Sequence, residues 1–187
     1  MRIIGGNYRG KKILEAKDKE TRPLKDLTKE SIFNILQHSN IVKIKIEGST
    51  VLDLFSGVGS FGLECLSRGA KHVTFIENYS GVLPILQKNL LSLKIVEKYQ
   101  IIEEDIFSNL NSIKNFGKFN VIFLDPPYRE KKLSIILDYI YEYKVLEKDG
   151  IIIIHRHKNE NDQFPKSFKI LDKKKYGISK IIFGNLN

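Results

Sequence analysis

A chain of 187 residues and 21.6 kDa, 42% hydrophobic and 28% charged, has the length and balance of one soluble globular domain, and needs no disulfide or metal staple. The single cysteine, Cys65, excludes a disulfide framework and a cysteine-ligated zinc finger. No run of about 18 apolar residues exists to cross a membrane, and Met1-Arg2-Ile3-Ile4-Gly5-Gly6 lacks a signal-peptide layout, so a reducing, cytoplasmic setting is expected.

Lys and Arg number 31 against 22 Asp and Glu, a net charge of +9. The excess is confined to the ends. Residues 1–48 hold 11 basic and 6 acidic side chains, residues 49–150 hold 12 and 13, and residues 151–187 hold 8 and 3. Basic ends suit an anionic partner such as nucleic acid.

The glycine- and lysine-rich start reads as a short extended or hairpin element. Thr21-Arg22-Pro23 is a helix-start signal, and Leu27, Ile32, Ile35 and Leu36 predict an amphipathic helix over 24–37. From residue 50 strands and helices alternate. Strands are expected at 50–55, 72–77, 99–103, 119–124 and 151–155, with helices at 59–68, 80–93, 106–114 and 131–143. Near-continuous apolar strands separated by helices predict a parallel sheet covered on both faces. Residues 168–172 and 178–183 are strand-like with no helix between them, which predicts an antiparallel hairpin around Lys173-Lys174-Lys175-Tyr176-Gly177. This layout resembles that of the Rossmann-like methyltransferases.

Two motifs carry chemistry. Gly57, Gly59 and Gly62 stand as G-x-G-x-x-G between a predicted strand and helix, where a ligand can approach the backbone closely. Glu77 follows Gly57 by 20 residues and can accept the hydroxyl protons of a ribose. Together they point to an adenosine-containing ligand. Asp53 can hold a cationic amino group but would repel a pyrophosphate, which favours S-adenosylmethionine over a dinucleotide.

The second motif is Asp125-Pro126-Pro127-Tyr128 at the end of the fourth strand. Two prolines stiffen the backbone, so that Asp125 and the adjoining carbonyls offer fixed acceptors, while Tyr128 offers a flat face. Acceptors for both N–H groups of a nucleobase amine favour a pyramidal nitrogen with its lone pair aimed at a methyl donor. Asp105 suits either the adenine amino group or the N-cap of the next helix.

These residues resemble the RsmD-like family of bacterial rRNA guanine-N2 methyltransferases. The likeness includes Arg2-Ile3-Ile4-Gly5-Gly6, Arg9-Gly10-Lys11-Lys12, Thr21-Arg22-Pro23, Lys29-Glu30-Ser31-Ile32-Phe33-Asn34-Ile35-Leu36, Asp53-Leu54-Phe55-Ser56-Gly57, Leu66-Ser67-Arg68-Gly69-Ala70, and Tyr176-Gly177. The resemblance implies S-adenosylmethionine as donor and a guanine N2 of small-subunit rRNA as acceptor. It implies a substrate within an assembled or assembling ribosomal subunit, and places Thr21 and Arg22 near the cofactor. Ile154-His155-Arg156-His157 stands where family members often carry a glutamate.

The expected protein is therefore an α/β enzyme, with a mostly parallel seven-stranded sheet and an antiparallel C-terminal hairpin. Residues 1–48 form an RNA-facing N-terminal extension and 49–187 the catalytic domain. Asp125, Pro126, Pro127 and Tyr128 are the candidate catalytic residues. Thr21, Arg22, Asp53, Phe55, Gly57, Gly59, Glu77 and Asp105 are candidates for the cofactor, and Arg9, Lys11, Lys12 and Lys174 for RNA. No metal or membrane is expected, and the protein is expected to act as a monomer. His155 and His157 read as polar strand-end residues, with phosphate contact beside Arg156 and a metal pair as alternatives. A DNA adenine-N6 methyltransferase, a non-catalytic RNA-binding assembly factor and a nicotinamide-dependent dehydrogenase are the competing functions.

Overall fold

The computed structural model of the protein describes residues 1–17, 24–40, 42, 44–127 and 130–186. Seven strands form one sheet: β1 (Thr50–Leu54), β2 (His72–Glu77), β3 (Tyr99–Glu103), β4 (Phe119–Leu124), β5 (Leu146–His157), β6 (Phe168–Tyr176) and β7 (Ser179–Leu186). Their order is β3-β2-β1-β4-β5-β7-β6. The first five are parallel, and β7 enters antiparallel between β5 and β6. The expected fold class is thus the observed one.

Among the described residues four α-helices cover the sheet: α1 (Asp26–His38), α2 (Ser60–Ser67), α3 (Leu83–Leu91) and α4 (Leu133–Glu142). Alternate side chains of a strand point to opposite faces, and both faces are apolar here. Val51, Phe75, Val121, Phe123, Ile153 and Ile181 meet α1, α2 and α3 on one face. Leu52, Leu54, Ile122, Leu124 and Ile154 meet α4 on the other. A stack of rings joins the layers on the first face: Phe33 of α1 lies 5.3 Å from Phe61 of α2, and Phe61 lies 4.1 Å from Phe123 of β4.

The N-terminal residues belong to the same packing. Ile3 and Ile13 lie in the first-face core with Ile32 and Leu36 of α1. Backbone bonds from Ile3 N–H to Lys11 O and from Ile13 N–H to Met1 O make residues 1–13 a small irregular hairpin. The fully buried Lys29 of α1 donates from Nζ to Arg2 O at 2.7 Å and faces Glu64 Oε2 of α2 at 3.9 Å. Glu64 Oε2 in turn accepts the Ile4 N–H at 2.8 Å. Burial lowers the Lys29 pKa, and Glu64 and Asp26 oppose that effect.

Several expectations shift in detail. Residues 106–108 form a turn rather than helix, and a 3-10 helix follows over Leu110–Asn115. α3 starts at Leu83 rather than 80, with Pro84 in its first turn where a missing N–H costs nothing. Leu27 was expected on the apolar stripe, yet it is 78% exposed. The three lysines expected in the hairpin turn lie inside β6, and the chain reverses at Gly177-Ile178 instead.

Candidate active site at the carboxyl edge of the sheet

Strand β1 runs straight into the glycine turn. Phe55, Gly57 and Gly59 all take positive φ, at 63°, 54° and 84°. This left-handed region suits glycine and strains Phe55. A Cβ on Gly59 would come within 2.5 Å of Leu86, so this position has no room for a side chain either. At Gly62 a Cβ would strike the Phe75 ring at 2.2 Å, which explains the third glycine by close packing of α2 on β2.

The turn is tied to neighbouring strand ends through acids. Glu77 Oε2 accepts the Gly57 N–H at 2.7 Å, and its Oε1 accepts the Asn78 and Tyr79 N–H groups at 2.9 Å each. Asp53 Oδ2 accepts the Gly62 N–H at 2.9 Å, in the first turn of α2, where backbone donors lack helical partners. Asp53 is fully buried. Burial raises its pKa well above the usual carboxylate range against the Gly62 bond, and the charges of Asp125 and Glu77 raise it further.

Asp105 folds onto its own loop. Oδ2 accepts from the Ser108 hydroxyl at 2.6 Å and Oδ1 from the Phe107 N–H at 3.0 Å. The Ser108 bond is the chief reason its pKa is lowered. The Phe107 ring stacks on Phe55 at 5.1 Å, an aromatic pair beside the glycine turn whose second member sequence reasoning missed. Among the described residues the buried Ser56 Oγ in the glycine turn has no hydrogen-bond partner. An orphaned hydroxyl beside a glycine turn is the kind of group that a bound polar ligand satisfies.

Asp125 is the next residue after β4. In the β1–β4 ladder Asp53 pairs with Phe123, so Asp125 lies two residues further along on the same face. Its N–H reaches Leu54 O at 3.4 Å. Asp125 Oδ1 accepts from His155 Nδ1 at 2.9 Å, and His155 Nε2 meets Ser179 Oγ at 2.9 Å. Burial pulls the His155 pKa down, but the Asp125 charge and hydrogen bond outweigh it, so the net shift is upward. Sequence reasoning set His155 aside; the signal for it was the neighbouring position of β4 and β5 ends in a Rossmann-like order.

The structure thus brings Phe55, Gly57, Gly59, Glu77, Asp105, Asp53, Asp125, Pro126 and Pro127 to one edge of the sheet. Thr21, Arg22 and Tyr128 lie outside the described residues. Lys174 joins this edge from β6, because it pairs with Ile181, which pairs with His155. It also borders a groove of about 630 Å³ between α1 and β6, shared with Ser31, Asn34, His38 and Tyr176. Arg9, Lys11 and Lys12 are not brought there. The Lys11 ammonium bonds to Ser92 O past the end of α3, and Tyr8 N–H bonds to Ser67 Oγ at the end of α2. Those helix ends lead back into β3 and β2, so this basic segment lies toward the amino edge.

Residues 1–185 match the family model described as conserved hypothetical protein 95. The chain belongs to this family. It is the RsmD family that the motifs resemble. A Haemophilus influenzae member named ribosomal RNA small subunit methyltransferase D is 34% identical over 179 residues, covering 95% of this chain and 90% of the relative. The Escherichia coli protein of the same name is 32% identical over 154 residues, covering 82% and 73%. The solved structure of Escherichia coli yhhF, a provisionally assigned methyltransferase, superposes with a TM-score of 0.81 at 28% identity, covering 100% of this chain and 97% of that one. The RsmD-family sheet described above is the Rossmann-like methyltransferase fold.

Proposed function

We propose that the protein transfers a methyl group from S-adenosylmethionine to the exocyclic N2 amine of a guanine in small-subunit rRNA, within an assembled or assembling subunit. The observation that carries this reading is Asp125: a carboxylate on a proline-stiffened strand end, beside the glycine turn, with one oxygen held by His155. Among the described residues its Oδ2 has no partner, which leaves an acceptor for an amine N–H. Relatives across nearly the whole chain carry the name of a small-subunit rRNA methyltransferase.

The residues present fit the donor. The Glu77 carboxylate has acceptor capacity beyond its three backbone bonds and suits the ribose hydroxyls. Asp105 and the Phe55–Phe107 pair suit the adenine, and Asp53 with the orphaned Ser56 hydroxyl suits the amino-acid end. When bound, the donor supplies an electrophilic methyl on a sulfonium centre. The chain's own part is positional. Asp125 Oδ2 accepts one amine N–H and the Pro126 carbonyl accepts the other, which favours a lone pair directed at the methyl. Tyr128 stacks on the base.

The test offers labelled S-adenosylmethionine with free small-subunit rRNA, the small subunit and duplex DNA. Label on guanine N2 of the RNA is expected. Label only on DNA adenine would overturn the reading.

A further inference from the structure

We propose that His155 and Arg156, adjacent at the end of β5, are positioning residues for methyl transfer that clamp the acceptor loop from the two faces of the sheet. The proposal rests on the amine-methylation reading above and names the device that fixes its geometry.

The register makes the clamp possible. Leu124 of β4 pairs with Ile154 of β5, so Asp125 comes level with His155. Consecutive strand residues point to opposite faces, so His155 reaches the loop on one side and Arg156 on the other.

On the first side both ring nitrogens of His155 are engaged. An ionised carboxylate only accepts, so Nδ1 carries the proton shared with Asp125 Oδ1 at 2.9 Å. Nε2 is held by Ser179 Oγ at 2.9 Å, diagonally across on β7. The serine hydroxyl can donate to a neutral ring or accept from a charged one, so the Nδ1–H bond survives either protonation state. A ring anchored at both ends is held against rotation, so it fixes Asp125 through Oδ1 and leaves Oδ2 for the amine.

On the second side the Arg156 guanidinium is 1% exposed. Its Nε donates to Asp162 Oδ1 at 2.8 Å, which compensates the buried charge. One terminal nitrogen donates to Pro127 O at 3.1 Å and the other to Glu130 O at 2.8 Å. Those two carbonyls bracket residues 128 and 129 in the chain. The planar fork of arginine can hold both at once, which the single ammonium of lysine does not reproduce. A misplacement of about 1 Å at a reacting group costs on the order of 100-fold in rate, so a clamp of this kind acts on turnover more than on binding.

The test compares wild type with His155→Leu, His155→Asn, His155→Gln and Arg156→Lys in single-turnover methylation of the small subunit, with donor affinity and Tm measured alongside. His155→Leu is expected to lower kcat by about 100-fold while KM and donor Kd stay within about 2-fold. His155→Asn places an amide N–H near the Nδ1 position and should recover most of that loss. His155→Gln places it near Nε2, toward Ser179, and should not. Arg156→Lys keeps the charge beside Asp162 and should lower kcat by about 10-fold. Normal turnover in His155→Leu overturns the clamp and leaves the functional reading intact. So does equal turnover of the Asn and Gln variants, a comparison that decides the matter even where the Leu variant fails to fold. A wild-type protein that methylates no amine overturns the reading and the clamp together.

Discussion

The two halves of the carboxyl edge are held by different means. On the β1–β2 side, acids grip backbone amides: Glu77 takes three and Asp53 takes one. On the β4–β5–β7 side, side chains grip one another and loop carbonyls: Asp125, His155 and Ser179 in a row, with Arg156 behind. The first half ties one glycine turn to the end of the neighbouring strand, and under the proposed function it receives the donor. The second joins side chains from the ends of three strands, and under the proposed function it orients the reacting amine. A change in the first half should therefore be felt in donor affinity, and one in the second in turnover.

The largest expected effect breaks that division most directly. Asp125→Ala should reduce kcat by about 1,000-fold, since it removes a preorganised acceptor, while calorimetry finds donor affinity unchanged. A comparable loss of donor affinity would mean that the two halves are one site. Next, Glu77→Gln should weaken donor binding about 10- to 100-fold, because a hydrogen bond to a charged group is worth roughly 1.5–3 kcal/mol; turnover at saturating donor should stay near normal. Smaller still is the effect of charge around the cleft. Neutralising Lys174 should weaken substrate binding a few-fold and flatten its salt dependence, with the slope falling by about one per lost phosphate contact. Neutralising Arg9, Lys11 and Lys12 should do less, as they lie toward the other edge.

The smallest effect concerns stability. The folded-state pKa of Asp53 is raised, so its contribution favours the fold below the ordinary carboxylate range and is lost as pH rises toward the folded value. Asp53→Asn keeps an acceptor for Gly62 and removes that loss. Thermal unfolding should show a higher Tm than wild type at neutral pH, with the gain shrinking as pH falls, while donor affinity drops. A Tm gain that is constant with pH would show that the buried charge is not its source.

The same contrast explains what could be read from the chain. Strands β2, β3 and β4 were legible to the residue: β2 and β4 are buried, largely apolar runs, while the half-exposed edge strand β3 is marked by its β-prone Tyr99, Ile101 and Ile102. The start of β5 was not: Glu147-Lys148-Asp149 is polar, and the strand is irregular there between Phe119 and Val121 of its partner. The reach of β6 to Tyr176 was hidden too, since its second half, Asp172 to Lys175, is charged and reads as a solvated turn. In the site, the glycine turn and Glu77 are linked by local spacing. The roles of His155, Arg156 and Ser179 come only from which strands lie side by side. The net charge of the N-terminal segment gave no clue to which edge it occupies.

The lysine run of β6 has a consequence for solubility. β6 borders the sheet, so its outer backbone donors and acceptors could pair with a strand of another copy. Lys173, Lys174 and Lys175 occupy the stretch beyond Asp172, while Ile170 on the same strand is 43% exposed. Like charges brought edge to edge repel, so these lysines guard the molecule against stacking into fibrils or tangled aggregates.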